Sequence, residues 1–460
     1  MLRRLSAPLL VVAVIVSAAR ASELHVPANY ATIQEAIDAS GNGDTIIVQP
    51  GTYDGPLSVI DRHVIIQGFG AEQTILDGQG ASVVVSVAFG ASTSSATLRH
   101  LTVTGGNIGG QTDDVTYLGF VDCVVRDNLG VGATGRIGAK DTIFQGNGSH
   151  GLDSFWSLDG CTFVGNGGWG AQRVEGFTTT SVTGCRFEGN ALGGLRLAVQ
   201  SPSPIFTPTI SVQSCLFVEQ NLQVSAIAPG DVGSTQIQKV TVAGGMVKVM
   251  SGASYLTNCI LRDETPVTSF SLVPVLTYCD VQGGWAGDGN IDADPLFAGP
   301  GAGDWSLLPG SPCINTGHPG LPLDPDGSVS DMGAFAFHPW SDLGGALAGS
   351  AGLGALTPDG PVIAGMPVSL FLAGAPASTP AWLVVGLSQL GAPFKGGTLW
   401  PNPDVLVGPL TTTAIGTLPV ASPWPAGLPD GFTFWAQFWW ADAAGPLGWA
   451  ASNGLQGVQP

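Results

Sequence analysis

Apolar and polar positions alternate in short runs through the first half of the chain, and the runs return in phase. Cys161-x-Phe163-x-x-Asn166 and Cys185-x-Phe187-x-x-Asn190 are two copies of one pattern. Thr142, Phe144 and Asn147 form an earlier copy, and Cys123, Val125 and Asn128 one before that. The first positions, 123, 142, 161 and 185, are separated by 19, 19 and 24 residues, the period of a solenoid coil. Within a copy the apolar residues at i and i+2 project to one side of a strand. Such a strand covers its inner face only when the next coil stacks on it, so the pattern predicts parallel strands wound coil upon coil. The asparagines then fall at one turn, where their amides hydrogen-bond from coil to coil.

The same alternation extends in both directions. Val64-Ile65-Ile66, Thr74-Ile75-Leu76 and Leu98-x-x-Leu101-x-Val103 predict earlier coils; after Cys215-x-Phe217 the pattern loosens, with Thr241, Cys259 and Cys279 marking later ones. At the opening, Leu24-His25-Val26-Pro27 reads as a strand and Tyr30 to Ala39 as a short helix with Ile33, Ala36 and Ile37 on one face. Thr45 to Val48 is the next strand. A helix placed there plugs the open end of a solenoid. Together with the coils that follow, this opening resembles the right-handed parallel β-helix family, the pectate-lyase-like superfamily, over residues 24–338. The stretch Gly289 to Phe297, then Leu308 to Gly317 and Asp324 to Ala334, is similar to the terminal segment of secreted bacterial β-helix proteins. The fold class expected is all-β, a solenoid followed by a second domain.

That second domain is predicted from a change of composition. Asp342 to Leu356 is rich in Gly and Ala, so residues 339–356 read as a linker. Residues 357–460 carry seven of the 12 tryptophans, in alternating runs such as Phe432 to Trp439 separated by Pro and Gly turns. These predict a small β-sandwich whose tryptophans form core in preference to a sugar-stacking face. At the other end, Arg3 and Arg4, an apolar stretch from Pro8 to Ala19 and Ala19-Arg20-Ala21 predict an export signal over residues 1–21. The domain boundaries expected are therefore 1–21, 22–338 for the solenoid, 339–356 and 357–460. No later run approaches the roughly 20 apolar residues of a spanning helix, so a soluble, exported or cell-surface monomer is expected.

Composition changes this picture in three places. The 68 glycines fit many tight turns rather than disorder, because hydrophobic residues reach 44%. A net charge of −19 argues against a nucleic-acid partner. The charge is unevenly spread: residues 263–460 hold one basic residue, Lys395, against 15 acidic ones, whereas seven of the 12 basic residues after the signal lie between Arg99 and Arg196. An anionic ligand is expected to meet that segment. Six of the seven cysteines occupy one slot of successive coils. Stacked strands hold equivalent Cβ atoms about 4.8 Å apart, wider than the roughly 3.8 Å a disulfide needs, so buried thiols are expected.

Counting onward from each ladder Asn identifies the candidate chemistry. Position +4 is Gly132, Gly151, Gly170 or Gly194; position +5 is apolar and faces in; position +6 faces out as Thr134, Asp153, Gln172 and Arg196. His150 and Trp169 lie at +3, Arg173 at +7, Trp156 and Glu175 at +9. The resemblance implies what such a row does in β-helix enzymes that act on acidic polysaccharides. Arg173 and Arg196 would clamp a uronate carboxylate, His150 would be the base for the C5 proton, and Asp153 would hold calcium or assist. Trp156, Trp169, Gln172 and Glu175 would bind the chain. The plain alternative is a solvated outer face. The polygalacturonase branch of the family carries paired Asp, Gly-His-Gly and Arg-Ile-Lys. Here Asp113-Asp114 and Ser149-His150-Gly151 stand without the third element, and the Asp pair reads as a turn. Asp324, Asp326 and Asp331 are a further candidate set, for calcium. The expectation is a polysaccharide-binding or structural module, with a uronate lyase or epimerase as the alternative.

Overall fold

The computed structural model of the 460-residue chain describes residues 21–174, 179–200, 208–227 and 233–460. All but the last residue of the expected export signal lie outside them. The chain is nearly all-β: a right-handed parallel β-helix of about 11 coils, then antiparallel sheets. It divides into two compact units, Met1–Ile143 and Phe144–Pro460. Each coil contributes one strand to each of three parallel sheets.

In the first unit, the inner column of the first sheet runs Leu24, Ile46, Ile66, Leu98, Phe120 and Ala139, paired in register. All six are buried, as two-residue alternation requires. The N-terminal helix is Ile33–Ala39, shorter than the expected Tyr30 to Ala39. Thr32 takes an extended conformation and caps it: its hydroxyl accepts the Glu35 N–H, and Glu35 reaches back to the Thr32 N–H. Ile33, Ala36 and Ile37 are the buried face. The Asp113 carboxylate accepts the backbone N–H groups of Phe89, Val115 and Thr116, so the Asp pair belongs to turn structure.

In the second unit, the second sheet carries the aromatic column. Phe163, Phe187 and Phe217 pair in register, followed by Val242, Leu261 and Val281. The rings of Phe144, Phe163, Phe187 and Phe217 stack near-parallel with centroids 5.0, 5.0 and 4.7 Å apart. Beside them runs the asparagine ladder. Asn147 Nδ2 donates to Asn166 Oδ1 (3.0 Å), and Asn166 Nδ2 to Asn190 Oδ1 (2.8 Å). The backbone N–H of Asn190 then donates to Gln220 Oε1 (3.2 Å), where Gln continues the series. Burying these amides is tolerable because each finds partners on the neighbouring coil.

The glycine four residues past each Asn is explained by the same column. A Cβ on Gly170 would lie 2.7 Å from the Gly194 carbonyl oxygen and 2.9 Å from both Phe163 Cβ and Phe187 Cδ1. The third sheet approaches the phenylalanine stack so closely that no side chain fits. All seven cysteines are buried free thiols. Within the unit their backbone spacing is that of stacked strands; the Cys185 N–H, for example, points at Cys215 Sγ (3.4 Å).

The antiparallel part begins earlier than expected. Trp340–Gly344, assigned to the linker from composition, is a strand paired with Gly454–Val458. Trp340 packs edge-on against Phe434, with ring centroids 5.6 Å apart, and Leu356 is buried in the same core. Gly and Ala there serve close sheet packing, not freedom of the chain. Two antiparallel sheets enclose Leu372, Leu383, Ala436, Phe438 and Trp440, with Trp439 also buried. The β-sandwich expectation holds, and its most enclosed tryptophans are core.

Candidate functional site

The third sheet of the second unit contains Leu152–Asp153, Trp169–Arg173, Gly193–Gln200, Leu222–Ile227, Val247–Ser251 and Val267–Ser269. Leu152, Ala171, Leu195, Leu222, Val247 and Val267 pair in register and are buried. The next residue of each strand therefore faces out. Asp153 pairs with Gln172, Gln172 with Arg196, Arg196 with Gln223, Gln223 with Lys248, and Lys248 with Thr268. From Asp153 to Lys248 this ribbon spans four rungs, about 19 Å at the spacing of paired strands.

Its electrostatics are asymmetric. Gln172 Nε2 donates to Asp153 Oδ1 (3.0 Å), which engages the one carboxylate of the row. Arg196 and Lys248 have no ion-pair partner among the described residues, and Arg196 Nε is buried without a hydrogen-bond acceptor. The ribbon thus offers two unanswered cations two rungs apart, with the Gln223 amide between them.

Several expected site residues are placed differently. Arg173 follows outward-facing Gln172, so alternation turns it inward; it is 6% exposed and donates to Thr180 Oγ1 (3.0 Å). Burial lowers its pKa, and it is a buried polar residue rather than half of a clamp. His150 lies at the turn before Asp153, where its Nδ1 accepts the backbone N–H of Trp169 (2.8 Å). The neutral ring then carries its proton on Nε2. Burial lowers its pKa, Asp153 raises it and Arg196 lowers it. In this arrangement the Nδ1 acceptor is occupied by a backbone N–H, and Nε2–H is left as a donor. Trp169 is 8% exposed and covers Gly193, so it is not a platform for a sugar; Trp156 is 45% exposed. Glu175 lies outside the described residues.

The aspartates expected to hold calcium are engaged by protein donors. Asp324 Oδ1 receives Lys239 Nζ (2.5 Å) and its Oδ2 the Asp331 N–H (2.8 Å). Asp331 accepts the N–H groups of Asn315 and Phe337 (each 2.6 Å), and Asp326 Oδ1 accepts the Ser328 N–H and hydroxyl. Among the described residues no group of three His, Cys, Asp or Glu side chains is placed to hold a metal ion. The three carboxylates form a structural network, and they do not fit a calcium site.

No family model matches the chain, and no curated protein matches it in sequence. Solved structures that share the architecture include the pectate lyase Pel9A, 12% identical, with 70% of this chain and 97% of that one covered at a TM-score of 0.48. An alginate lyase from Paenibacillus sp. str. FPU-7 is 13% identical, with 59% and 96% covered and a TM-score of 0.32. The tailspike protein gp49 of Acinetobacter baumannii bacteriophage Fri1, a capsular polysaccharide depolymerase, is 10% identical, with 96% and 85% covered and a TM-score of 0.35. At such identities and scores these are likenesses of architecture, and no residue or activity is carried over from them.

Gln223 and Lys248 were not found from sequence. Position +6 is counted from the ladder Asn, and in these coils Gln220 and Gly245 stand in its place, with Gln223 and Lys248 only three residues further on.

Burial raises the Asp331 pKa to about 6, Asp324 adds to the rise, and its two N–H donors and Lys239 oppose it. The unfolded carboxylate titrates near about 4. Between these values the folded state binds more protons than the unfolded one, so this group's contribution to stability falls as pH rises from about 4 to about 6. Urea midpoints measured across that range are expected to show this falling component in the native protein and not in Asp331→Asn.

Proposed function

We propose that the protein is an exported, non-catalytic receptor for an acidic polysaccharide, held lengthwise along the outer face of the third sheet. The observation that carries this reading is the register that sets Arg196 and Lys248 in one outward column, without ion-pair partners among the described residues, on a chain of net charge −19. The net charge of −19 repels a polyanion at long range, so the attraction comes from local pairing of its carboxylates with Arg196 and Lys248. Gln172, Gln223 and the Nε2–H of His150 add donors for carboxylate and hydroxyl oxygens. Trp156 supplies an exposed ring at the Asp153 end. The engagement of His150 Nδ1 by the Trp169 N–H and the burial of Arg173 support binding over the lyase alternative.

The test is binding of polygalacturonate and alginate by calorimetry and affinity electrophoresis, with ultraviolet detection of unsaturated uronate in the same mixtures. Binding is expected without product and to weaken with salt, since exposed charges are screened beyond about 8 Å at physiological ionic strength. Arg196→Ala combined with Lys248→Ala is expected to weaken it ~100-fold, about tenfold for each charge-assisted hydrogen bond removed. Product formation, or binding indifferent to both substitutions, would overturn the reading.

A further inference from the structure

A cleft of about 860 Å³ opens between the outer side of the second sheet and the segment from Asp294 to Trp305. This is within the size range of small-molecule and sugar sites. Glu188 and Glu219 come from successive coils on one wall, and Arg262 from two coils further on; Phe297 and Trp305 stand on the other wall. Two cross-ties hold the cleft open before any ligand arrives. Arg186 Nη1 donates to the Gly303 carbonyl (3.1 Å) while its Nη2 and Nε reach Glu188 Oε2 (2.7 and 3.1 Å). Arg262 is held by Asp280 (3.2 Å) and Asp292 (3.4 Å). Both guanidinium charges are thereby answered. The Glu219 carboxylate is exposed and has no partner among the described residues. Trp305 meets Phe297 edge-on, centroids 5.1 Å apart, and its Nε1–H is buried without an acceptor.

We infer that this cleft is a second glycan site, separate from the cationic ribbon and selective for a neutral sugar chain. The wall of Phe297, Pro300 and Trp305 suits the C–H face of a pyranose. Glu219 and the outer oxygen of Glu188 suit its hydroxyls, which donate strongly to ionised acceptors. A uronate would meet Glu188, Glu219 and Asp294 with no uncommitted cation to receive it. A cationic chain would find the Glu219 carboxylate, but it would also bring its ammonium groups beside the guanidiniums of Arg186 and Arg262. The ribbon and the cleft therefore sort sugars by charge, one for acidic chains and one for neutral chains.

Cellohexaose, mannohexaose, laminarihexaose and maltohexaose, titrated into the full-length protein by calorimetry and tryptophan fluorescence, test the assignment. Hexagalacturonate and a glucosamine hexamer are the charged controls. At least one neutral hexasaccharide is expected to bind, ~10-fold more weakly to Glu219→Gln and to Trp305→Ala. It is expected to bind unchanged to the Arg196→Ala/Lys248→Ala protein. Trp305→Phe, which keeps an aromatic wall, should retain most of the affinity and separates removal of the stacking face from loss of fold. Failure of all four neutral sugars to bind, equal affinity in the Glu219 and Trp305 variants, or preference for the glucosamine hexamer would overturn the inference.

Discussion

Phe163→Ala is expected to lower the stability of the protein by about 3–5 kcal/mol, the range for emptying a fully enclosed aromatic site. Phe163 is entirely buried, with Phe144 and Phe187 each 5.0 Å from its ring centroid. A cavity there has little means to close. Above and below, the rung spacing is held by the strand pairing and the asparagine ladder, and beside it Gly151 and Gly170 present bare backbone. The loss should therefore sit at the upper end of that range, while Phe163→Leu, which refills most of the space, should cost far less. Equilibrium urea unfolding followed by circular dichroism measures both. A loss for Phe163→Ala below about 1 kcal/mol, typical of sites that relax or lie near the surface, would show that the stacked rings are not what holds the coils together.

Lys239→Met is expected to cost about 3–5 kcal/mol near neutral pH, because it strands a carboxylate that water cannot reach. The Asp324 side chain is 2% exposed, and Lys239 stands 2.5 Å from it at a turn where the backbone is left-handed, with φ of 52°. The pair joins a coil of the solenoid to the irregular segment that follows the coils. Two features distinguish this from a mere loss of packing. The falling component assigned to Asp331 should extend to higher pH, because Lys239 is one of the groups holding its pKa down. Adding Asp324→Leu to Lys239→Met should recover much of the loss, as replacing both members of a buried pair by apolar groups commonly does. An unaltered urea midpoint for Lys239→Met would remove the pair from the account.

The parts of this structure that were legible in sequence are those where one side chain marks its own position. Phe144, Phe163 and Phe187 announced the coils because a large ring recurring with an adjacent Asn has few other readings, and their stacking follows from it. The outward column from Asp153 to Arg196 followed from strict alternation, and its register is as counted. Arg173 was misplaced by weighing its charge above its parity: one step from Gln172 it has to face inward, whatever it carries. His150 and Trp169 sit at the turn and strand start, where alternation does not decide direction; the hydrogen bond between them does. Lys248 escaped notice for want of a landmark, and the cleft beside Trp305 because its walls are more than a hundred residues apart, as the Arg186 to Gly303 bond shows. Trp340 was assigned to a linker because glycine and alanine serve both loose chain and tightly paired strands.

The enclosed sulfurs have a consequence for how the protein is made. All seven are buried free thiols, and burial pushes the Cys123 thiol up to about 11 and raises those of Cys185, Cys259 and Cys313 as well. Maturation then waits on neither an oxidant nor an isomerase, and the finished molecule should be as stable with reductant as without it.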